Sequence, residues 1–374
     1  MKILIAGDYV PRNRLATLVE ENKYNDIFGE VKDIISSSDF TIVNFESPIV
    51  EEGDIPISKL GPNLRCKPKG VDAIKYAGFN CVTLANNHIR DWGDSAVKRT
   101  MSIIREQGLD CVGAGDSIET AGATLYHRHG DKTLAIINCC ENEFSIAGAD
   151  YYGANPLNPI RQYYAIKDAK AKSDFILIIV HGGHEHYQLP SPRMQDTYRY
   201  FIDLGADIVV NHHQHCYSGY EIYKGKPIVY GTGNFCMDKD PVRVGQIWNY
   251  GYMVQWDTDK PGHIDIIPYD QCGEQPMVHL LAPNAFDKQL NHLNEIISNR
   301  QLLEAETIKY YTSCNDTINK YVIEPIQNRF ISGLQHRGVL PSLVSKKWLL
   351  KLQDFILCES HRDKMDFFFH CKNK

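Results

Sequence analysis

Short apolar runs that end in polar residues recur along the first 270 residues and predict alternating strands and helices. The main predicted strands cover residues 2–6, 40–45, 80–84, 174–180 and 208–210. Residues 175–180 are continuously apolar, as in a strand that is buried on both faces. Helices are predicted around residues 28–36, 71–77, 95–107, 160–172 and 192–204. This alternation predicts a largely parallel sheet built from the first 210 residues.

The pattern changes twice beyond residue 210. Apolar runs at 219–223 and 227–230 flank a Lys224-Gly225 turn, and two further strands are predicted at 246–256 and 263–268. These runs predict a second, more antiparallel sheet. From residue 286 helical periodicity takes over. We therefore expect an α/β domain over residues 1–285 and a helical C-terminal appendage over residues 286–374.

One helical face of the appendage is strongly apolar. It consists of Trp348, Leu349, Leu352, Phe355 and Ile356. Three lysines, at 346, 347 and 351, lie elsewhere on this helix, and residues 367–369 add three phenylalanines. We expect this face to pack over the first domain or to support a homodimer, with peripheral contact to an anionic membrane as the alternative.

The composition indicates the class of protein, the compartment in which we expect it and one class of partner that it argues against. With 374 residues, 43% hydrophobic and 23% charged, the chain is typical of soluble globular proteins. Its start has no secretory leader pattern, and no apolar run approaches the ~20 residues of a membrane span. Eleven cysteines without Cys-x-x-Cys spacing favour reduced thiols. We therefore expect a cytoplasmic protein, and the net charge of −6 argues against nucleic acid as a partner.

Metal-binding types of side chain follow several of the predicted strands. They are Asp8, Glu46, Asn87, His181, His213 and His215. His213 and His215 can reach one centre if the chain bends after its strand, because neutral imidazole is a common transition-metal ligand. The neighbouring His88 would be free for proton transfer, with Asp91 to orient it.

A further set of polar residues is predicted to contact the substrate. It comprises Arg65, Lys67, His184, Glu185 and Asn234. Arg65 and Lys67 lie in a loop-like segment at residues 49–69, rich in proline and glycine. Their side chains could bind phosphate or carboxylate groups if the loop lies near an anion site, or they could form an ordinary solvated face.

Five stretches in this order resemble the CapA family of poly-gamma-glutamate capsule biosynthesis proteins. They are NFESPI at 44–49, LANNHIRDWG at 84–93, HGGHE at 181–185, GAD at 205–207 followed by HQH at 213–215, and YGTGNF at 230–235. That family belongs to the calcineurin-like metallophosphoesterase superfamily. The resemblance covers roughly residues 1–270 and implies a four-layer α/β/β/α sandwich with two divalent metal ions, manganese, iron or zinc, at the strand ends.

The resemblance also implies roles for particular residues. Asp8 would bind one metal, Glu46 would bridge both, and Asn87 and His181 would bind the second. His213 and His215 would bind one metal each, and His88 would donate a proton to the leaving group. The superfamily usually has a histidine ligand two residues after the aspartate, where this chain has Val10, so one metal would lack a ligand unless Glu185, His186 or water supplies it. His212 could also compete with His213 as the ligand.

Three functions are compatible with these residues. The first is metal-dependent hydrolysis of a phosphoester by an activated water. The second is acid–base chemistry on a peptide or polyglutamate-like substrate, either epimerisation or amide cleavage. The third is a non-catalytic component of capsule assembly. The partner would accordingly be a small-molecule, peptide or polymer substrate.

Overall fold

A computed structural model describes residues 1–318 and 345–372, together with Leu334, Arg337 and Val339. The strands are β1 Lys2–Val10, β2 Phe40–Phe45, β3 Cys81–Thr83, β4 Asp110–Val112, β5 Ala114–Gly115, β6 Leu125–His129, β7 Lys132–Cys140, β8 Gly153–Ala154, β9 Phe175–His181, β10 Ile208–His212, β11 Tyr220–Tyr223, β12 Lys226–Val229, β13 Asn234–Met237, β14 Tyr250–Asp257, β15 Ile264–Gln271 and β16 Val278–Leu280. The helices are α1 Arg14–Glu20, α2 Tyr24–Phe28, α3 Lys32–Ser36, α4 Lys69–Ala77, α5 Gly93–Glu106, α6 Ile118–Ala121, α7 Pro159–Lys170, α8 Pro192–Leu204, α9 Asp287–Ser298, α10 Arg300–Ile318, α11 Lys346–Leu357 and α12 Glu359–Lys372.

The strands form two large mixed sheets. The first has the order β16-β15-β14-β1-β2-β3-β4, with β13 pairing beside β1, and the second has the order β11-β12-β10-β9-β7-β6. Strands β1 to β4 run parallel, whereas β14 to β16 are antiparallel to their neighbours. In the second sheet β7, β9, β10 and β12 are parallel, and the edge strands β6 and β11 are antiparallel.

The expected division into a parallel sheet and a later antiparallel sheet is therefore wrong. The first sheet combines strands from both ends of the α/β part of the chain, because β14 and β13 return to pair with β1. The first strand is also longer than the predicted 2–6. It continues to Val10 because β13 offers new backbone partners, beginning with the Asp8 amide, which donates to the Gly233 carbonyl at 3.2 Å.

Residue alternation along β1 shows how the layers pack. Ile3 and Ile5 lie in the hydrophobic cluster that also contains Ile178 of the second sheet. Leu4 and Ala6 point the other way, into a second cluster formed with helices α1 to α5. Helices α7 and α8 pack on the second sheet in the first of these clusters. The result is the expected four-layer α/β/β/α sandwich, which confirms the predicted fold class.

Local sequence explains why α8 starts where it does. The Ser191 hydroxyl accepts a hydrogen bond from the Met194 amide, and Pro192 occupies the first turn. Both are favoured there, because the cap satisfies a free N–H and proline needs no donor partner. The helix ends before Gly205, whose φ of 127° reverses the chain into β10. This helix therefore carries the chain from the end of β9 back to the start of β10.

The C-terminal helices pack against the sandwich. Phe286, which precedes α9, and Leu290, Leu293 and Ile297 of α9 lie in the larger core. Tyr311 of α10 contacts Phe367 of α12 at a ring distance of 5.6 Å. On α11, Leu349 and Ile356 are 52% and 56% exposed, so part of the apolar face predicted from sequence is open to solvent. Its role in dimer or membrane contact stays a prediction.

Of the helices that the structure describes, none combines the length and apolar character needed to cross a membrane.

Candidate metal centre

The candidate ligands meet where the strands of both sheets end. In the first sheet Asp8 lies in register with Asn44 and, on its other side, with Asn234. In the second sheet His212 lies in register with His181. Parallel neighbours end at the same edge, so residues distant in sequence arrive together. The structure thereby brings Asp8 Oδ1 to 3.9 Å from His181 Nδ1.

Two overlapping groups of side chains could each hold a metal ion. One contains Glu46, His181 and His213, and the other contains Asp8, Glu46 and His215. Within each group the ligand atoms lie within 4.8 Å of one another. Glu46 belongs to both groups, and its Oε1 is 3.4 Å from His181 Nε2. The geometry is that of a carboxylate lying between two sets of potential ligands.

Glu46 itself shows that a cation fits this cluster. Both carboxylate oxygens are buried, and neither has a hydrogen-bond partner within the described part of the chain. Burial raises the pKa of Glu46 well above its usual value, and the nearby charges of Asp8 and Glu185 raise it further. Because a buried, unpaired carboxylate is costly, a bound cation would supply the missing counter-charge. Carboxylate and imidazole together suit divalent transition metals.

The histidines are held in the form that binds metals. Burial lowers the pKa of His181 well below its usual value, and the neighbouring His213 lowers it further, which keeps the imidazole neutral. His213 and His215 adopt positive φ angles of 90° and 55°. Such backbone conformations are strained for residues other than glycine and are typical of functional sites. The bend turns both side chains towards the cluster.

The structure distinguishes His213 from His212. His213 Nδ1 lies 3.1 Å from His181 Nε2, whereas His212 is in neither group of candidate ligands. Both ring nitrogens of His212 are buried without a hydrogen-bond partner among the described residues. Val10, at the position where the superfamily usually has a histidine, packs in a small apolar cluster with Trp248. That position contributes packing only.

Asn44 is a residue of the site that the sequence analysis missed. Its amide nitrogen donates to Asp8 Oδ1 at 2.7 Å and lies 3.2 Å from His181 Nδ1. Asn44 thus fixes the orientation of one candidate ligand from each sheet. The available signal was a lone amide inside the otherwise apolar strand β2, two residues before Glu46.

Asn87 and His88 lie beside the cluster with supporting partners. Asn87 Oδ1 is 3.1 Å from His181 Nε2. His88 Nδ1 is 2.7 Å from Asp91 Oδ2, which leaves Nε2 facing Glu46 at 4.0 Å. Burial and the Lys59 charge lower the pKa of His88 to about 4, although Asp91 opposes this shift. Asp91 thus fixes which ring nitrogen faces the cluster.

Lys59 is a second residue that the sequence analysis missed. Its ammonium forms an ion pair with Asp91 and lies 3.0 Å from His88 Nδ1, and its side chain is only 3% exposed. Arg65 and Lys67 of the same loop are the residues for which the sequence pattern predicted substrate contact. The structure places those two elsewhere, at a separate cavity of about 730 Å³, where Lys67 donates to Glu20 at 3.1 Å.

The remaining predicted substrate contacts have different positions. Asn234 Oδ1 lies 2.9 Å from His215 Nδ1 and so supports a candidate ligand. Glu185 is near both His213 and His215 and lines the cavity beside them. His184 Nε2 is 3.0 Å from the Tyr311 hydroxyl of α10. His184 and Glu185 therefore border the cluster, and their contact with substrate stays a prediction.

A cavity of about 250 Å³ opens onto the cluster. Its charged and polar lining consists of Lys59, Asn87, His88, Glu143, His184, Glu185, His213, Asp354, His361 and Lys364. Glu143 was missed by the sequence analysis, although it follows the apolar strand β7 as other site residues follow theirs. Burial raises the pKa of its carboxyl group, which accepts a hydrogen bond from Asn87 at 3.3 Å. The last three lining residues come from α11 and α12.

The same helices are tied to the sandwich by a buried carboxylate. Glu141 accepts hydrogen bonds from Arg193 at 2.7 Å, from Ser360 at 2.6 Å and from the Gly183 amide at 3.1 Å. Arg193 also pairs with Asp363 of α12 at 2.8 Å. Burial alone would raise the pKa of Glu141, but the Arg193 charge and these hydrogen bonds lower it from 4.5 to about 2.

Replacing Glu141 with Gln is expected to destabilise the fold by about 3 kcal/mol at neutral pH. Because the folded pKa lies below the unfolded value, the stabilisation is complete above pH 4.5 and is lost as the pH falls through about 2. Urea unfolding of both proteins between neutral pH and about pH 3 should show the difference shrinking in acid. Glu295→Gln, on the exposed face of α9, is the matched control. A pH-independent difference would contradict the assignment.

Gly7 is required by the close approach of β1 to the turn before β13. A Cβ at this position would lie 1.8 Å from the Gly233 carbonyl oxygen. We expect Gly7→Ala to displace Asp8, lower stability by about 1–3 kcal/mol and reduce metal retention. Thermal unfolding and elemental analysis would measure both effects. Gly273→Ala, where a Cβ meets nothing within 4 Å, should change neither, and equal behaviour of the two variants would refute this explanation.

Comparison with known proteins gives matches to bacterial capsule biosynthesis proteins. Residues 2–239 match the family described as bacterial capsule synthesis protein PGA_cap. The capsule biosynthesis protein CapA of Bacillus anthracis is 28% identical over 302 residues, covering 78% of this chain and 72% of that protein. The PGA biosynthesis protein CapA of Bacillus subtilis (strain 168) is 28% identical over 269 residues, covering 71% of this chain and 70% of that protein.

Among solved structures, a phosphatase from Mycoplasma pneumoniae aligns with a TM-score of 0.47 and 14% identity, covering 73% of this chain and 95% of the other. The sequence match spans well over half of the chain and includes every residue of the two candidate ligand groups. It confirms the resemblance found from the five sequence stretches. The chain therefore belongs to the PGA_cap family of bacterial capsule synthesis proteins.

Proposed function

We propose that this protein is a metal-dependent phosphoester hydrolase that acts in capsule or polyglutamate biosynthesis. The observation that carries the proposal is Glu46, a buried carboxylate shared by two groups of potential ligands. A carboxylate shared in this way is what a pair of adjacent cations requires. The biological setting comes from the names of the relatives, which are capsule or PGA biosynthesis proteins.

The proposed ligands divide between two divalent ions. Asp8 and His215 would hold one, while His181, His213 and Asn87 would hold the other, with Glu46 common to both. When bound, two such ions supply an activated water at neutral pH and stabilise the charge of the attacked ester. Manganese, iron and zinc all suit this mixture of nitrogen and oxygen donors.

His88 would act on the leaving group. Its Nδ1 is engaged by Asp91 and Lys59, so Nε2 is the nitrogen able to exchange a proton with a ligand in the cavity. Asn44 and Asn234 would keep the imidazoles of His181 and His215 in fixed orientations. Preorganised groups of this kind lower the barrier because little rearrangement is needed during the reaction.

Metal removal and restoration test the proposal. Protein treated with a chelator should lose hydrolysis of phosphomonoesters or phosphodiesters, and manganese, iron or zinc should restore it. A double variant, Arg65→Ala with Lys67→Ala, should behave as wild type because both residues line a different cavity. Purified protein without transition metal, combined with no metal-dependent hydrolysis on either class of ester, would refute the proposal.

Acid–base chemistry on a peptide is the second candidate, and the position of Glu143 favours it. This buried carboxyl group has a raised pKa and lines the cavity beside His213, so it could exchange a proton with a substrate. Peptides incubated with the metal-containing protein in heavy water should then gain deuterium at one α-carbon. No exchange on glutamate-containing peptides would exclude epimerisation.

A further inference from the structure

We infer that the C-terminal helices complete the substrate pocket and that Lys364 of α12 binds an anionic group of the substrate, a carboxylate or a phosphate. The inference rests on the proposed function, because it adds recognition to the same site. Lys364 would contact a part of the substrate that does not react. It is therefore a specificity residue rather than a catalytic one.

The cavity joins the ligand cluster to the C-terminal helices. Asn87, His88 and His213 line it from the strand ends, and Asp354, His361 and Lys364 line it from α11 and α12. A ligand that fills its 250 Å³ would touch both sets of residues. One end of the substrate can therefore face the metal ligands while another part faces α12.

The position of α12 is fixed by contacts with the loops that build the site. The Asn142 amide donates to Glu359 at 2.8 Å, one residue before Glu143 of the cavity wall. Ser360 donates to Glu141, and Arg193 bridges Glu141 and Asp363. The α12 residues of these contacts, at positions 359, 360 and 363, precede Lys364 by one to five residues, and all the contacts are partly or fully buried. The lysine is thus held beside the cavity by the same loop that carries Glu143.

Tyrosines of α10 make a second connection. The rings of Tyr310 and Tyr187 stack with centroids 4.0 Å apart, and the Tyr311 hydroxyl lies 3.0 Å from His184 Nε2. His184 and Tyr187 flank Glu185, which lines the cavity. Helix α10 is therefore attached to the segment that follows β9, and Tyr311 also contacts Phe367 of α12.

Lys364 differs from the other cationic side chains that line the cavity in the partners of its charged group. Lys59 forms an ion pair with Asp91, and His361 lies 2.8 Å from Asp354. Among the described side chains of residues 1–314 and 345–369, Lys364 has no carboxylate within ion-pair distance, and its ammonium lies 5.3 Å from the centre of the Tyr310 ring. An aromatic face holds an ammonium in place without neutralising its charge. That charge remains available to an anion in the cavity.

The chemistry of the ligand follows from this arrangement. A lysine ammonium is a compact charge that forms strong hydrogen bonds to carboxylate or phosphate oxygens. The substrate should therefore carry a second anionic group in addition to the one that reaches the metal ligands. A substrate with one anionic group would leave Lys364 unused and should bind less tightly.

Calorimetric titration of the manganese-containing full chain can test this with three stable probes. They are phenylphosphonate, 4-carboxyphenylphosphonate and 1,4-phenylenebisphosphonate. The second anionic group of either longer probe is expected to tighten binding about tenfold. Whether the carboxylate or the phosphonate gives the larger gain identifies the anion that the pocket prefers. Phosphonates are not hydrolysed, so the measurement does not depend on catalysis.

Three variants assign the gain to Lys364. Lys364→Ala should lose the tenfold advantage while its affinity for phenylphosphonate stays unchanged, and Lys364→Arg should keep the advantage. Lys347→Ala, on the exposed part of α11 outside the cavity lining, is the matched control and should behave as wild type. Unchanged affinity for phenylphosphonate also shows that the variants retain the folded site.

Two results would overturn the inference. The first is that a second anionic group does not tighten binding, which includes the case in which no probe binds. The second is that the tighter binding persists in Lys364→Ala. If the proposed hydrolase function is wrong, a different set of results is expected. In that case phenyl phosphate would not be hydrolysed, yet the three phosphonates would still differ in affinity through Lys364. The two proposals can therefore fail separately.

Discussion

Replacing Glu46 with Gln is expected to abolish metal-dependent activity and, without metal, to make the protein more stable. Loss of the shared carboxylate removes a ligand from both groups, which should lower the hydrolysis rate by about 10³-fold or more. In the metal-free protein the same change removes a buried carboxyl group that has no hydrogen-bond partner within the described residues and whose charged form burial disfavours. That should raise the free energy of unfolding by about 1–3 kcal/mol.

Glu46→Gln should raise the free energy of unfolding without metal and lower it relative to wild type with metal, and these opposite signs make the prediction decisive. Urea unfolding after chelation should rank the Gln variant above wild type, whereas excess manganese should reverse the order because only wild type gains binding energy. Glu46→Asp is the control, since it keeps the charge on a shorter side chain and should retain part of the metal response. A Gln variant that binds metal as wild type does, or that is less stable without metal, would contradict the role of Glu46.

Replacing His88 with Gln is expected to slow hydrolysis selectively. His88 belongs to neither ligand group, so the variant should keep its metal, while loss of the proton donor should lower kcat by about 10²–10⁴-fold. The loss should be large for alkyl phosphates and small for p-nitrophenyl phosphate, whose leaving group needs no proton. Steady-state kinetics on both substrates, together with elemental analysis, measures this difference.

Two further variants test whether His88 is the proton donor. His263→Gln changes a histidine that is 66% exposed and should leave both substrates unaffected. Asp91→Asn should have an intermediate effect, because the carboxylate bonded to His88 Nδ1 orients the ring without contacting the substrate. If His88→Gln slows both substrates equally and also loses metal, His88 supports the cluster and is not the proton donor.

Much of the site could be predicted because its chemistry follows a local rule. An apolar run that enters a sheet and then meets a carboxylate, amide or imidazole places that group at the sheet edge. Asp8, Glu46, Asn87 and His181 all obey this rule, and the structure brings them together. Their roles as ligands remain predictions that the Glu46 experiment addresses.

Lys59 and Glu143 could not be separated from their neighbours in the same way. Lys59 lies in the same basic loop as Arg65 and Lys67. Only in the folded chain is Lys59 buried beside the cluster, whereas Arg65 and Lys67 lie at another cavity. Glu143 follows a strand as other site residues do, but its position beside α11 and α12 depends on helices far along the chain. Contacts between distant segments leave no local pattern.

Sheet topology was missed for a related reason. Alternation of strands and helices indicates which segments are strands, but pairing of β1 with β13 and β14 joins residues separated by more than 200 positions. The same pairing extended β1 beyond the expected end at Ala6, so that Gly7 and Asp8 lie among its last four residues. Backbone partners, rather than side-chain polarity, decided where that strand stopped.

The contribution of α11 and α12 to the cavity sets an order of events during synthesis. Every residue of both ligand groups precedes residue 216, whereas Asp354, His361 and Lys364 are made much later. All the candidate ligands are therefore synthesised before the wall of the cavity that α11 and α12 supply. Until those helices are made, the cluster is open on the side that they later cover, so ion binding can precede assembly of the pocket.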